Sequence, residues 1–200
     1  MSSNRKNSLI LVVVSAATAV MVLLYLDKFG ASDDNLLVML RLTARLAFLV
    51  YLLVFIARPI RQLVRTNATR WLLNERRSLG LSMAAIHFVH MGLIIYRATH
   101  SPEFEFDFPA QIIGSLIYTL MLLMVITSFD APARVIGAQT WRRLHKTGLY
   151  ALGVAFVSTL LPEARAELLE PERLWFIVLT AIAVFIRLTA FFARRSQSNG

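Results

Sequence analysis

Two histidines stand in the middle of a run apolar enough to cross a bilayer: His87 and His90, within LGLSMAAIHFVHMGLIIY from Leu79 to Tyr96. Three residues apart, they share one face of a helix and can address the same neighbour. Neutral imidazole is a good ligand for iron. A haem held between two helices takes one histidine from each, with small residues making room for its edge. His145 is the imidazole on another apolar segment that could complete such a pair. The plainer alternative is that each histidine hydrogen-bonds across a helix interface. Arg41 and Arg45, four residues apart on one face, would suit a haem's propionates as bidentate guanidinium partners. Otherwise Arg41 reaches the outer surface and Arg45 meets a carbonyl or another side chain. Arg187, roughly two turns inside its segment, reads as a snorkelling side chain.

The elements that must hold these residues are membrane helices. Of the 200 residues 57% are hydrophobic and 16% charged, and mean hydropathy is positive, far from the balance of a soluble domain. The net charge of +9 does not point to nucleic acid, because the basic residues are scattered between apolar runs. With no cysteine there is no disulfide, thiolate metal site, iron–sulfur ligand or thiol nucleophile, so redox chemistry would need a bound cofactor. About 20 apolar residues cross the hydrocarbon core. Six stretches approach that length: 8–26, 36–57, 78–97, 110–128, 145–161 and 174–193, the fifth being the shortest. The first resembles a secretory signal only superficially, since its apolar run continues unbroken to Leu26 and is followed by Asp27 and Lys28 without a convincing small-residue cleavage site, and it is read as a retained helix. The expected fold is an all-α, six-helix membrane bundle forming one domain over 1–200.

Orientation follows from Lys and Arg. Arg5, Lys6, the run from Arg58 to Arg77, Arg134, Arg142, Arg143, Lys146, Arg194 and Arg195 fall on one side. Lys28, Arg97, Arg165 and Arg173 fall on the other, with most of the acidic residues, among them Glu103 to Asp107 and Glu163, Glu167, Glu170 and Glu172. Both termini are therefore expected in the cytoplasm. Gly80, Ser82, Ala84 and Ala85 on the third span, and Gly148, Ala151, Gly153 and Ala155 on the fifth, favour close helix packing. The Asn67-Ala-Thr69 sequon falls on the cytoplasmic side, where it would not be glycosylated.

Three stretches together, ERRSLGLSMAAIHFVH (Glu75–His90), TSFD (Thr127–Asp130) and WRRLHKTGLYAL (Trp141–Leu152), resemble the ferric reductase-like transmembrane domain. That family holds the membrane cores of ferric reductases and NADPH oxidases and the haem-bearing membrane subunit of the bacterial methionine sulfoxide reductase system. The resemblance implies a b-type haem core with axial histidines from the third and fifth spans. These would be His90, or His87 as an additional or alternative ligand, and His145. Two-haem relatives carry a second histidine about thirteen residues after the first on the fifth span, where this chain has Ser158. Depth also matters: at ~1.5 Å per residue His90 lies about 21 Å along its helix from Arg76, whereas His145 lies about 3 Å from Arg143. If both arginine pairs mark one interface, the imidazoles sit at different depths. The expectation is one haem b at most, with His145 on one side and His87 or His90 on the other.

The leading reading is an electron-transfer component of an oxidoreductase in a cell membrane, read as a bacterial inner membrane. No glycine-rich dinucleotide fingerprint, phosphate loop or serine nucleophile motif is found, so no NADPH or flavin site is visible. Electrons would come from a separate reductase or the quinone pool and leave to an acceptor at the outer face, the protein contributing ligation, orientation and potential. Two rivals stand beside it: a haem-less member acting as a structural or assembly partner, favoured by Ser158, and a small proton or metal permease relaying through its histidines.

Overall fold

The computed structural model describes residues 3–166 and 171–198, with side chains at 9–159 and 174–196. Of the charges used to orient the chain, Arg5, Lys6, Glu163, Arg165, Glu167, Glu170, Glu172 and Arg173 lie outside the residues whose side chains are described. Seven helices follow in order: α1 (Ser3–Phe29), α2 (Asp33–Leu63), α3 (Asn67–Asn74), α4 (Arg76–His100), α5 (Phe108–Ile126), α6 (Asp130–Ala166) and α7 (Pro171–Ser198). Among the described residues there is no strand, so the all-α expectation holds.

Among the described residues, five helices are long and apolar enough to cross a membrane: α1, α2, α4, α5 and α7. The expected span at 145–161 lies in α6, follows basic first turns with Arg142, Arg143 and Lys146, and runs past residue 159, where the described side chains end. Beyond those turns it packs like the others, burying Leu149, Leu152 and Phe156. α6 also breaks where a glycine allows it: Gly137 takes φ 75° and ψ 157°, separating a short leading helix from the long one.

Local chemistry sets the helix boundaries. Gly30, at φ 80°, ends α1 in the left-handed region, and its N–H bonds the Leu26 carbonyl at 2.9 Å. Ser32 caps α2, with Asp33 and Asp34 favourably placed in the first turn. Thr66 and Thr69 cap α3 reciprocally, so the threonine of the sequon is a buried structural residue. α3 itself is a short helix inside what the sequence presents as an arginine-rich connection. Asp107 caps α5 by accepting from the Ala110 N–H.

The centre of the bundle is the α2 and α4 pair. One apolar cluster joins Phe48, Tyr51, Met83, Ile86, Met121 and Phe156 from α2, α4, α5 and α6. A second, towards the acidic end, joins Val22, Leu36, Met39 and Leu93 from α1, α2 and α4. There Arg97 on α4 grips Asp33 on α2 bidentately, at 2.7 and 2.9 Å. Two glycines of α6 admit neighbours: Gly148 faces the Met124 sulfur and Gly153 the Tyr51 hydroxyl, which donates to the Leu149 carbonyl at 2.9 Å. Among the described residues, α4 and α6 nowhere bring Cα atoms within 8 Å of each other, so side chains fill the space between them.

One device at the basic end explains an intramembrane arginine. Pro59 lies inside α2 and has no N–H for the carbonyl four residues back, that of Phe55. Arg187 reaches across from α7 and donates to that oxygen at 3.0 Å, while its other terminal nitrogen donates to the Tyr150 hydroxyl at 2.8 Å. Its guanidinium also lies over the Phe55 ring, 4.1 Å from the centroid. Arg187 is thus not a snorkelling side chain. Replacing Arg187 by Met should lower stability by about 1–3 kcal/mol, the cost of an unpartnered buried acceptor. In a Pro59→Ala background, where residue 59 regains its N–H, the loss should be clearly smaller. Unfolding of the four variants in detergent measures this coupling; equal losses in both backgrounds would show that Arg187 acts otherwise.

Candidate functional site

The imidazoles fall into two layers. In the first, His90 presents Nδ1 to the Thr43 hydroxyl at 2.9 Å. That hydroxyl lies 2.8 Å from the Met39 carbonyl of its own helix, which takes its proton, so the oxygen accepts from His90. The Leu40 carbonyl stands 3.1 Å from the same hydroxyl and beside the ring. His90 is therefore held with its proton on Nδ1 and its lone pair on Nε2. Fixing the far nitrogen through a hydrogen bond is how a metal-binding histidine is oriented.

His87 lies one turn earlier on α4. Its ring is parallel to that of His90 within 19°, with centroids 5.6 Å apart. Phe156 of α6 meets it edge-on at 5.2 Å, and Tyr118 of α5 lies at 5.8 Å, donating its hydroxyl to the His87 carbonyl. The His87 Nδ1 is buried, with no partner among the described residues. The spacing of three thus does what it promises and brings both rings together.

His145 belongs to the second layer. Its ring stacks on Trp141, one turn earlier, at 4.4 Å. Its Nε2 meets the Thr127 hydroxyl at 3.1 Å, and that hydroxyl lies 2.7 Å from the Leu123 carbonyl. By the same logic His145 Nε2 carries a proton and gives it to Thr127. Trp141 donates to the Thr127 backbone carbonyl at 2.8 Å. The TSFD and WRRLH segments therefore interlock on one threonine, and Arg76, at the start of α4, is close enough to repel a charge on His145.

Helical rise measures the separation of the layers. His87 meets Phe156, eleven residues and about 16 Å along α6 from His145. On α4, Arg76 and His87 are again eleven residues apart. The imidazoles do stand at different depths, and an iron on His145 cannot also touch His87 or His90 in this packing. His87 and His90 project from the same side of one helix, so they cannot be opposite axial ligands either.

Arg41 is exposed. The Arg45 guanidinium lies over the Phe176 ring of α7 at 5.7 Å. Each is two residues from Thr43, so each leaves α2 about 200° round from the side chain that meets His90. The structure does not bring the arginine pair to the histidines. Among the described residues no three or more His, Asp or Glu side chains converge as a metal cluster. The residues that sequence reasoning missed are the hydroxyl partners Thr43, Thr127 and Tyr118. A threonine in an apolar helix gives no sign of which histidine it will face.

The sequence model of the family described as ferric reductase like transmembrane component matches residues 37–157, from α2 to well inside α6. No curated protein and no solved structure matches the chain.

Replacing Thr43 by Val keeps the shape but removes the acceptor for His90 Nδ1. The change should cost about 1–3 kcal/mol, read by thermal or denaturant unfolding in detergent. Thr43→Ser should restore most of it. A Val variant as stable as wild type would show that the hydroxyl does not fix this ring.

Proposed function

The chain belongs to the ferric reductase-like transmembrane component family, and from that premise we propose that it carries electrons across its membrane on one b-type haem bound through His90. The observation that carries this reading is the Thr43–His90 bond, which orients the imidazole and leaves Nε2 as its electron-pair donor. When bound, the haem supplies one-electron redox chemistry. The chain's own residues do the rest. His90 would ligate from α4, and Thr43 fixes its tautomer. The apolar surroundings, Phe156 and Tyr118 among them, exclude water and so raise the influence of nearby charge on the potential. In this reading His145 is a positioning residue, its Nε2 committed to Thr127.

The remaining assignments rest on pattern. The segment 145–161 is a sixth crossing, and the arginine-rich end faces the cytoplasm with both termini, by the distribution of Lys and Arg. The membrane is a bacterial inner membrane. A separate reductase or the quinone pool delivers electrons, and an acceptor at the opposite face takes them.

A second reading is favoured by one specific observation. The Phe156 ring occupies the position on α6 opposite His87, and Ser158 follows it, so α6 offers no imidazole at that depth. A haem-free structural or assembly partner would have this arrangement.

Oxidised and dithionite-reduced absorbance spectra of the purified chain separate the two. A Soret band is expected in wild type, lost in His90→Ala and retained in His145→Ala. Wild-type protein without the band, and without haem by pyridine haemochrome, supports the haem-free reading. Loss of the band in His145→Ala with retention in His90→Ala would transfer ligation to α6.

A further inference from the structure

At the basic end of the bundle, two arginines from two helices meet on adjacent carbonyls of a third helix, α2. Arg76 of α4 donates through Nε to the Val54 carbonyl at 3.3 Å, and Arg187 of α7 donates to the Phe55 carbonyl at 3.0 Å. Arg58 leaves α2 about one turn beyond, exposed, and adds a third like charge at this end. Among the described residues, negative charge at this end is less than the positive charge. Asp130 is engaged by Arg77 at 3.7 Å. Even a full ion pair with Glu75, buried at the start of α4, would set one carboxylate against three guanidiniums.

The donors are also unspent. Arg76 bonds Val54 through Nε, and among the described residues no bond from its terminal nitrogens accompanies it. The Tyr150 hydroxyl accepts from Arg187, so its own proton is available to an anion. Clustered guanidiniums with a hydroxyl donor are the chemistry of phosphate recognition.

Beside this cluster an apolar groove of about 430 Å³ runs between α2, α6 and α7. Val184, Phe185 and Leu188, which flank Arg187 on α7, form one wall, and Phe48 and Phe156 form its back. It faces outward: Phe185 is 67% exposed and Leu188 51%. A cationic head site on the same helix as the wall of an apolar channel has the two-part chemistry of a phospholipid, and inter-helix basic pockets at the membrane surface take anionic head groups.

We propose that the cleft between α2, α6 and α7 holds one anionic phospholipid, its phosphate against Arg58, Arg76 and Arg187 and an acyl chain in the groove. The site is separate from the one at His90, which lies fourteen residues and about 21 Å along α4 from Arg76. The bound lipid offsets the like charge that the Pro59 device gathers by drawing Arg187 inward.

The test is the thermal unfolding of the purified full chain in detergent, titrated with phosphatidylglycerol, phosphatidylcholine or inorganic phosphate. Phosphatidylglycerol should raise the midpoint saturably, and the other two should not. Arg58→Gln, an exposed position outside the packing, should raise the half-saturating phosphatidylglycerol concentration about fivefold. Val184→Trp, which fills the groove without touching an arginine, should abolish saturation. Equal stabilisation by phosphatidylcholine, or an equal response to inorganic phosphate alone, overturns the proposal. So does an unchanged titration in both variants. The readout does not involve haem absorbance, so its failure is distinct from failure of the electron-transfer reading.

Discussion

A polar group left without a partner in hydrocarbon costs more than almost any other local defect, and this bundle is organised around avoiding that cost. Pro59 frees the Phe55 carbonyl, and Arg187 is drawn in from a different helix to bind it. Thr43 and Thr127 return their hydroxyl protons to their own helices and then accept from imidazoles on neighbouring ones. Tyr51 reaches the Leu149 carbonyl through space that Gly153 leaves open. Each bond crosses between helices that contact one another otherwise through apolar side chains. Together they fix register where hydrophobic packing alone is permissive.

The same rule separates the histidines into different chemical species. Thr43 and Thr127 are alike in sequence and in their bonds to their own helices, yet they meet opposite nitrogens. Thr43 takes Nδ1 of His90 and leaves Nε2 with the lone pair, whereas Thr127 takes Nε2 of His145. Two residues of one type, both half-buried, thereby engage through opposite ring nitrogens. The stacked Trp141 completes the His145 arrangement and accounts for the four-residue spacing of the WRRLH segment.

Charge follows from the same accounting. At the basic end Arg76 and Arg187 are anchored on carbonyls of α2. At the acidic end Arg97 and Asp33 pair directly and join α4 to the start of α2. Among the described residues, a bidentate ion pair closes the acidic end, whereas arginines anchored on carbonyls mark the basic end.

The amino-acid sequence by itself determined the membrane class, the approximate limits of most helices and the shared face of His87 and His90. These follow from composition, from run length and from the 3.6-residue turn, all of which are local. It also implied that His90 and His145 lie at different depths, because helical rise converts residue counts into distance. It did not reveal α3, whose capping depends on Thr66 and Thr69 inside a charged stretch, nor the break at Gly137. Only the tertiary structure decided that Thr43 faces His90, that Thr127 binds both Trp141 and His145, and that Arg187 serves the Phe55 carbonyl rather than reaching for the surface. It also turned Arg45 onto Phe176 and away from the histidines. The physical reason is common to all of these: a partner on another helix is set by how the helices rotate and slide against one another, and no spacing within a single helix encodes that.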